Sequence, residues 1–283
     1  MGRVKIIADS TCDLSDELLH KYDIGIIPLM INMGNNSFKD RIEITPKEIY
    51  EWSNRSGETP KTAAPTIGDA IDYLSPFVED KDDIIFIGIS EAMSVTCNVI
   101  RMAAESLNYS RLFIFDSKNL STGIGLQVMK AAELALLGST AEEIIEEIQL
   151  IQDKVRASFV IDTLTYLYRG GRCSAVTALL ANTLKLKPKI IVVNGKMDVE
   201  KKYRGHQNAV VVKYVKDMEQ NLKDADPARV FITHSECPDD LVAAVYDYLE
   251  NLSIFREIII TKAGSVISSH CGPNTLGVLY ISK

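Results

Sequence analysis

A short apolar run that ends in a hydroxyl-rich loop constrains the fold most strongly; it is the stretch IIFIGISEAMSVT at residues 84–96. Uninterrupted, partly β-branched runs of this length are typical of strands buried in a parallel sheet. From about Val95 the apolar residues recur at helical spacing. The loop therefore joins the carboxyl end of a strand to the amino end of a helix. Ligands bind there in open α/β sheets, because free backbone N–H groups and the helix dipole point outward.

The hydroxyl groups of this loop indicate an anion site. Ser90, Ser94 and Thr96 add hydrogen-bond donors without adding charge. A second interpretation stays open for each of them, because serine and threonine cap helices wherever a strand turns into one. Thr62 is harder to explain as a cap, since it lies between two prolines in a loop where no helix obviously begins.

Units of the same kind recur through the first half of the chain. Apolar runs followed by hydroxyl-rich loops lie at residues 4–15, 84–96 and 112–123. Pro28 interrupts the apolar run at residues 24–31, so we expect that strand at a sheet edge or near a bulge. Helices are predicted after Thr45, which begins a capping box, and after Thr66. This alternation predicts an α/β sheet with helices on its faces.

The organisation restarts near Val155, and a second α/β unit is predicted. Asn194-Gly195 lies between two strand patterns and is a strong hairpin signal. The last residues are read as two strands around a Gly/Pro turn, with His270 at the end of the first. Strands are expected at residues 158–161, 230–234 and 257–261. Helices are expected between the first of these strands and residue 168, and at residues 176–184, 207–222 and 239–252. We predict two α/β domains, residues 1–152 and 153–283.

Composition excludes several classes of function. The net charge of −7 and the absence of a Lys/Arg cluster argue against binding of nucleic acid. No apolar run approaches the ~20 residues of a membrane-spanning helix, and the amino terminus does not read as a signal peptide. Five scattered cysteines without metal-ligand spacing predict reduced thiols in a cytoplasmic protein and no metal site.

Candidate catalytic groups are few, and each has a structural interpretation. The phosphate loop GxxxxGK[ST] and the GxSxG nucleophile elbow are both absent from the sequence. Ser94 and His270 can be read as the nucleophile and base of an esterase, although a lone histidine is usually structural. Asp9 and Asp13 are more simply turn and cap residues than metal ligands. Arg172 and Arg204 lie at loop positions, where most arginines are solvated unless an anion or an acidic partner must be held.

Motifs in order along nearly the whole chain resemble the DegV family. They are ADSTCDL, KTAAPT, ISEAMSVT, DSKNLSTGIGL, YRGGRCS, the KPKIIVVNGK hairpin, KKYRG and the terminal HCGPNTLGV. Each motif is short and weak by itself, and their common order and spacing make the resemblance specific.

The resemblance implies two α/β domains with a long-chain fatty acid in a tunnel between them. DegV-like proteins serve as the binding subunit of a fatty acid kinase: they present the acyl carboxylate to a separate ATP-binding subunit, which makes acyl phosphate for phospholipid synthesis. The chain itself is then not an enzyme and needs no cofactor beyond its lipid ligand. Transient contact with a membrane, without a span, is part of this prediction.

The resemblance also implies roles for particular residues. The carboxylate-binding hydroxyls of the family fall on Thr62 and Ser94, its strand-end histidine on His270, and the basic residue after its hairpin on Arg204. The backbone N–H near Val95 is a further expected donor to the carboxylate. No catalytic residue is expected in this reading, and the esterase built from Ser94 and His270 is the alternative.

Two further expectations concern the loop and the partner. We expect Arg172 to dock the kinase subunit. The loop also departs from the family pattern SSGLSGT, because Glu91, Ala92 and Val95 stand where relatives usually have other residues and Cys97 takes a common tyrosine position. A Cβ atom at position 95 restricts the backbone approach that glycine permits.

Overall fold

The described part of the chain comprises residues 3–177, 179 and 186–283 of a computed structural model. Its strands are β1 (Val4–Asp9), β2 (Gly25–Ile27), β3 (Met30–Met33), β4 (Asn36–Lys39), β5 (Lys61–Ala63), β6 (Asp83–Gly88), β7 (Leu112–Asp116), β8 (Val155–Val160), β9 (Leu186–Val193), β10 (Lys196–Arg204), β11 (Ala225–Ser235), β12 (Glu257–Lys262) and β13 (Thr275–Ser282). Its helices are α1 (Asp16–Lys21), α2 (Pro46–Ser56), α3 (Ile67–Glu79), α4 (Thr96–Ser106), α5 (Thr122–Leu136), α6 (Ala141–Gln152), α7 (Thr165–Gly170), α8 (Ser174–Thr177), α9 (Gln207–Asp217), α10 (Glu219–Lys223), α11 (Asp239–Asn251) and α12 (Ser265–Cys271).

A parallel four-stranded sheet forms the centre of the first half, with the strand order β2-β1-β6-β7. Alternate residues of its strands pack on opposite faces, as the apolar runs predict. Ile7 and Phe86 contact α3 and α4, whereas Ile6 and Ile85 belong to the cluster that includes α5 and α6. Because the strands are parallel, the loops at their carboxyl ends meet at one edge of the sheet.

A six-stranded mixed sheet forms the second half, with the order β10-β9-β8-β13-β11-β12. The Asn194-Gly195 turn joins antiparallel β9 and β10, so the predicted hairpin is confirmed. One face of the sheet, including Ile232, packs beneath α9 and α11. The other face, including Phe231, joins the cluster that contains α5.

A third sheet, small and antiparallel, has the order β4-β3-β5. Thr62 lies on its strand β5 and pairs with Ile31 of β3. The loop that was expected to have no regular structure around Thr62 is therefore an edge strand, a position that tolerates the nearby prolines because an edge strand has one unpaired side.

The carboxyl-terminal segment corrects the prediction of two strands. Its first part is helix α12, and only the second part is strand β13. The N–H groups of Gly264 and Ser265 donate to the carboxylates of Asp13 and Asp40, which lie far away in sequence. These long-range caps stabilise a helix that the local β-branched pattern does not reveal. His270 consequently lies in the last turn of a helix.

Three other boundaries differ from the predictions. The run at residues 24–31 divides at Pro28 into β2 and β3, which belong to different sheets. The predicted helix at 207–222 is two helices that meet at Met218. Of the helix predicted at 176–184, α8 covers the first two positions, and most of the remainder lies outside the described residues.

The division into residues 1–152 and 153–283 remains our proposal. It is supported by the sheets, because the six-stranded sheet consists wholly of residues after 152. A hydrophobic cluster continues across the boundary, since Ile85 and Ile124 share it with Phe159 and Phe231. In the described ranges, we find no helix with the length and apolar character needed to cross a membrane.

Candidate functional site

A cavity of about 450 Å³ lies where the three sheets face one another. Its wall is formed by β5, the β6–α4 loop, α12 and the inner face of the six-stranded sheet. Apolar side chains such as Met93, Phe159, Leu167, Met197 and Leu279 cover most of the wall. The volume falls within the range of about 300–1,000 Å³ that is usual for small-molecule sites.

Thr62 and His270 meet at one part of this wall. Thr62 Oγ1 lies 2.8 Å from His270 Nε2, and the other ring nitrogen, Nδ1, is buried without a hydrogen-bond partner among the described residues. Burial, and secondarily the charge of Arg172, lower the pKa of His270 to about 4. The imidazole is therefore neutral near pH 7.

Gly170, at the end of α7, provides the surface on which His270 lies. A Cβ atom added at Gly170 would lie 2.2 Å from His270 Nδ1, closer than any van der Waals contact allows. The carbonyl oxygen of the same glycine accepts a hydrogen bond from the Arg172 guanidinium at 2.8 Å. Sequence reasoning did not identify Gly170, although the paired glycines of YRGGRC were a visible signal of close backbone approach.

Ser94 and Val95 form the second polar part of the wall, and the fully buried Thr96 begins α4 beside them. Ser94 Oγ lies 2.8 Å from Thr96 Oγ1 and also accepts the N–H of Thr96. No described residue accepts the backbone N–H of Val95, which precedes the helix. This N–H therefore adds a donor that the positive end of the helix dipole reinforces.

The polar hydrogens of this region outnumber the acceptors that the side chains offer one another. Thr62 and neutral His270 carry two polar hydrogens but share one hydrogen bond. Ser94 and Thr96 likewise carry two hydroxyl hydrogens and share one hydrogen bond between side chains. Each pair thus retains a donor that has no acceptor among the described residues. The region is suited to a ligand group that accepts several hydrogen bonds, such as a carboxylate.

The tip of the β9–β10 hairpin contacts the β6–α4 loop. Ser90 Oγ donates to the carbonyl oxygen of Gly195 at 2.7 Å. Gly195 has a φ of +76°, and a Cβ atom there would lie 2.5 Å from Ser90 Oγ. The Ser90 hydroxyl is consequently used to join the two halves of the chain, which favours its structural interpretation.

Glu91 does not leave an uncompensated negative charge at the loop. Its carboxylate pairs with the guanidinium of Arg101 on α4. The backbone N–H of Glu91 donates to Asp116 at 3.2 Å. Val95, whose side chain replaces the family glycine, is 65% exposed and makes the edge of this loop an apolar surface.

The two arginines singled out from the sequence lie in different places. Arg172 lines the cavity beside His270 and reaches the carbonyl oxygen of Met93 at 3.5 Å. Arg204, at the end of β10, lines a separate groove together with Lys202 and Lys213. The structure therefore brings Arg172 together with Thr62, Ser94, Val95 and His270, and does not bring Arg204 there.

The arrangement does not assemble an esterase. Ser94 pairs with Thr96, and His270 pairs with Thr62, so no Ser94–His270 hydrogen bond forms in the described part of the chain. The Nδ1 atom of His270 also lacks the acceptor that orients a catalytic base. No cluster of acidic, cysteine and histidine side chains within the described residues has an arrangement that could hold a metal ion.

Three buried carboxylates lie behind the cavity wall. Asp9 accepts the N–H of Ile89 at 2.7 Å, while Asp13 accepts the hydroxyl of Ser121 at 2.5 Å and the N–H of Gly264 at 2.8 Å. Burial, with a smaller contribution from the charge of nearby Asp40, raises the pKa of Asp9 to about 6 and that of Asp13 to about 7. These side chains fix the strand-end loops and the start of α12, in keeping with the turn and cap roles read from the sequence.

Comparison with known proteins places the chain in a defined group. The family model described as "Uncharacterised protein, DegV family" matches residues 3–283. A DegV domain-containing protein of Clostridium perfringens is 31% identical over 283 residues, which cover 100% of both chains.

Two solved structures are similar over essentially the whole chain. One, described as fatty acid binding of a DegV family protein from Thermus thermophilus, has a TM-score of 0.90 at 26% identity and covers 99% of this chain and 100% of that one. The other, described as DegV, a fatty acid binding protein from Bacillus subtilis, has a TM-score of 0.86 at 27% identity and covers 100% of both chains.

Proposed function

The chain belongs to the DegV family, and from this premise we propose that it binds a long-chain fatty acid in the cavity. The carboxylate lies against Thr62, Ser94, the N–H of Val95 and His270, and the acyl chain lies along the apolar wall. The observation that carries this proposal is the donor surplus of the Thr62–His270 and Ser94–Thr96 pairs at a mostly apolar cavity. The relatives described as fatty acid binding proteins support the same ligand class.

The energetics of such a complex are favourable. Burying a 16-carbon chain removes about 15 methylene and methyl groups from water, at about 0.8 kcal/mol each, or about 12 kcal/mol in total. This gain is of the same order as the cost of association, about 4–15 kcal/mol. The charged head group requires several donors, because an unpaired carboxylate is very costly to bury. Thr62, Ser94 and the backbone N–H of Val95 offer such donors.

We further propose that the carboxylate is presented to a separate ATP-dependent kinase subunit in the cytoplasm. The chain has no GxxxxGK[ST] phosphate loop of its own, which is consistent with a separate subunit that supplies the phosphoryl donor. The head-group loop lies beside an exposed apolar residue, Val95, which gives a second protein access to this end of the cavity. Neutral donors also leave the carboxylate nucleophilic, whereas a direct ion pair would stabilise its charge.

Native mass spectrometry of the purified protein tests the binding proposal. We expect a bound species whose mass corresponds to a fatty acid, and extraction followed by lipid analysis should identify it. A ligand-free protein that binds no member of a fatty acid panel would contradict the proposal. Release of product from acyl esters by the protein alone would instead favour the esterase.

Replacing Ser94 with alanine should weaken fatty acid binding by about 1–3 kcal/mol, the cost of an unmet charged acceptor. Isothermal titration with palmitate measures the change. Ser106→Ala is the matched control, because Ser106 lies at the far end of α4 and donates only to the Met102 carbonyl. Equal affinities for the Ser94 and Ser106 variants would remove Ser94 from the head-group role.

Reversing the charge of Arg172 should strongly reduce acyl-phosphate formation when the kinase subunit and ATP are supplied, since a docking cation becomes repulsive. Fatty acid binding by Arg172→Glu is measured in parallel. If docking is the main role, binding falls much less than phosphorylation. Loss of both in proportion would assign Arg172 to the carboxylate site, beside His270.

A further inference from the structure

Four further hydroxyl side chains line the same cavity, although an acyl chain alone has no use for them. They belong to Ser121, Thr233, Ser235 and Thr275, none of which is more than 6% exposed. Buried hydroxyl hydrogens normally have an acceptor, because leaving one unmet is costly. A hydroxyl hydrogen that has no acceptor within the protein therefore indicates that a polar group of the ligand accepts it.

Three of the four are satisfied within the described part of the chain. Ser121 donates to the carboxylate of Asp13, and Thr275 donates to the carbonyl oxygen of Cys271 at 2.9 Å. Ser235 belongs to a group with Tyr50 and Ser268 whose hydrogens can reach two backbone carbonyl oxygens. The hydrogens of these three hydroxyls therefore have acceptors within the protein and require none from a ligand.

Thr233 is different. Its hydroxyl lies 2.6 Å from that of Thr122 on α5 and 3.0 Å from that of Thr261 on the neighbouring strand β12. The three hydroxyls carry three hydrogens, yet they make two hydrogen bonds and have no other acceptor among the described residues. Thr122 and Thr261 can both donate to Thr233, because a hydroxyl oxygen accepts two hydrogen bonds. Thr233, the member that lines the cavity, then has its own hydrogen free.

The position of Thr233 relative to the head-group site follows from α12, which runs along the cavity. Two residues before its start, the N–H of Ala263 donates to the carbonyl oxygen of His234, next to Thr233. At its end, His270 contacts Thr62. The helical part from Ser265 to His270 spans about 7.5 Å at 1.5 Å per residue, and the two residues before the helix bring the separation from Ala263 to about 10 Å. An extended acyl chain advances by about 1.25 Å per bond, so Thr233 faces roughly carbons 8 to 10.

We propose that the cavity selects fatty acids that carry a neutral oxygen, as a hydroxyl or keto group, near the middle of the chain. This inference rests on the proposed fatty acid binding and names the ligand class within it. The oxygen accepts the hydrogen bond of Thr233. Among the described residues, Arg172 is the only lysine or arginine that lines the cavity, and it lies beside His270, so Thr233 alone would not offset the charge of a second anionic group.

Competition binding between 10-hydroxystearate and stearate tests the selection. We expect the wild-type protein to bind the hydroxy acid about tenfold more tightly, because stearate leaves the Thr233 hydrogen without an acceptor. Thr233→Val keeps the side-chain shape and should abolish this preference. Thr275→Val is the matched control: its hydroxyl is already used, so the substitution changes both affinities together and leaves their ratio unchanged.

Positional isomers provide a test that depends on no variant. The wild-type protein should prefer 10-hydroxystearate to 3-hydroxystearate and to 17-hydroxystearate. Equal affinities for the three positional isomers, or a hydroxy-acid preference that persists in Thr233→Val, would overturn the inference. Such a result would indicate that a water molecule accepts the spare hydrogen of Thr233. Stearate binding in the same assay keeps the two proposals separate, because its absence would contradict fatty acid binding itself.

Discussion

Replacing Gly170 with alanine should reduce fatty acid affinity by roughly 10-fold to 100-fold. The added Cβ atom would lie 2.2 Å from His270 Nδ1, so the ring has to move and its contact with Thr62 is lost. The spare donor that this pair offers to the carboxylate is then misplaced. Hydrogen bonds to charged groups contribute about 1.5–3 kcal/mol each, and each 1.4 kcal/mol corresponds to a factor of ten in affinity. Titration with palmitate measures the loss.

Gly171→Ala is the matched control for this experiment. Gly171 has a φ of +68°, and an added Cβ atom there meets nothing within 4 Å. Alanine at this position strains the backbone and should lower stability by about 1 kcal/mol, yet it does not touch His270. We expect near-normal affinity with a lowered melting temperature. Similar affinity losses in the two glycine variants would show that the α7 terminus acts on binding through general destabilisation.

Much of the fold is visible in the sequence because its signals are local. The apolar run before Ser90 is long enough to specify a strand buried on both faces, and Asn194-Gly195 specifies its hairpin. The capping box at Thr45 and the cap at Thr66 mark the starts of two helices. Each of these signals depends on neighbours within a few residues, which is the range over which sequence patterns determine structure.

The site is less visible because long-range contacts create it. Thr62 and His270 are 208 residues apart, and α12 becomes helical when Asp13 and Asp40 cap it from the other half of the chain. No periodicity reveals these caps. The family resemblance supplied Thr62, Ser94 and His270 as candidates, whereas Gly170 and Thr233 emerged from the packing around the cavity.

The carboxyl groups that cap α12 also make the stability of the folded protein depend on pH. Burial raises the pKa of Asp13 from 3.8 to about 7, so the folded protein keeps this proton over a range where the unfolded chain has released it. An acid of this kind contributes stability that is fully present below about pH 4 and is lost as the pH rises to about 7. His270, whose pKa is lowered to about 4, acts in the opposite direction, so the effect of Asp13 has to be isolated by comparison with a variant.

Replacing Asp13 with asparagine should make the protein less sensitive to rising pH, because asparagine can still accept the N–H of Gly264 but has no proton to lose. Each pKa unit corresponds to 1.36 kcal/mol. The free energy of unfolding of the variant, relative to the wild type, should therefore increase by about 2–3 kcal/mol between pH 5 and pH 8. Urea denaturation at the two pH values measures this difference. Asp16→Asn is the control, because it removes a carboxylate that is 84% exposed and paired with Arg41; its stability relative to the wild type should change little between the two pH values. Parallel pH profiles for the wild type and Asp13→Asn would mean that the Asp13 carboxyl group does not titrate between pH 5 and pH 8 in the folded protein.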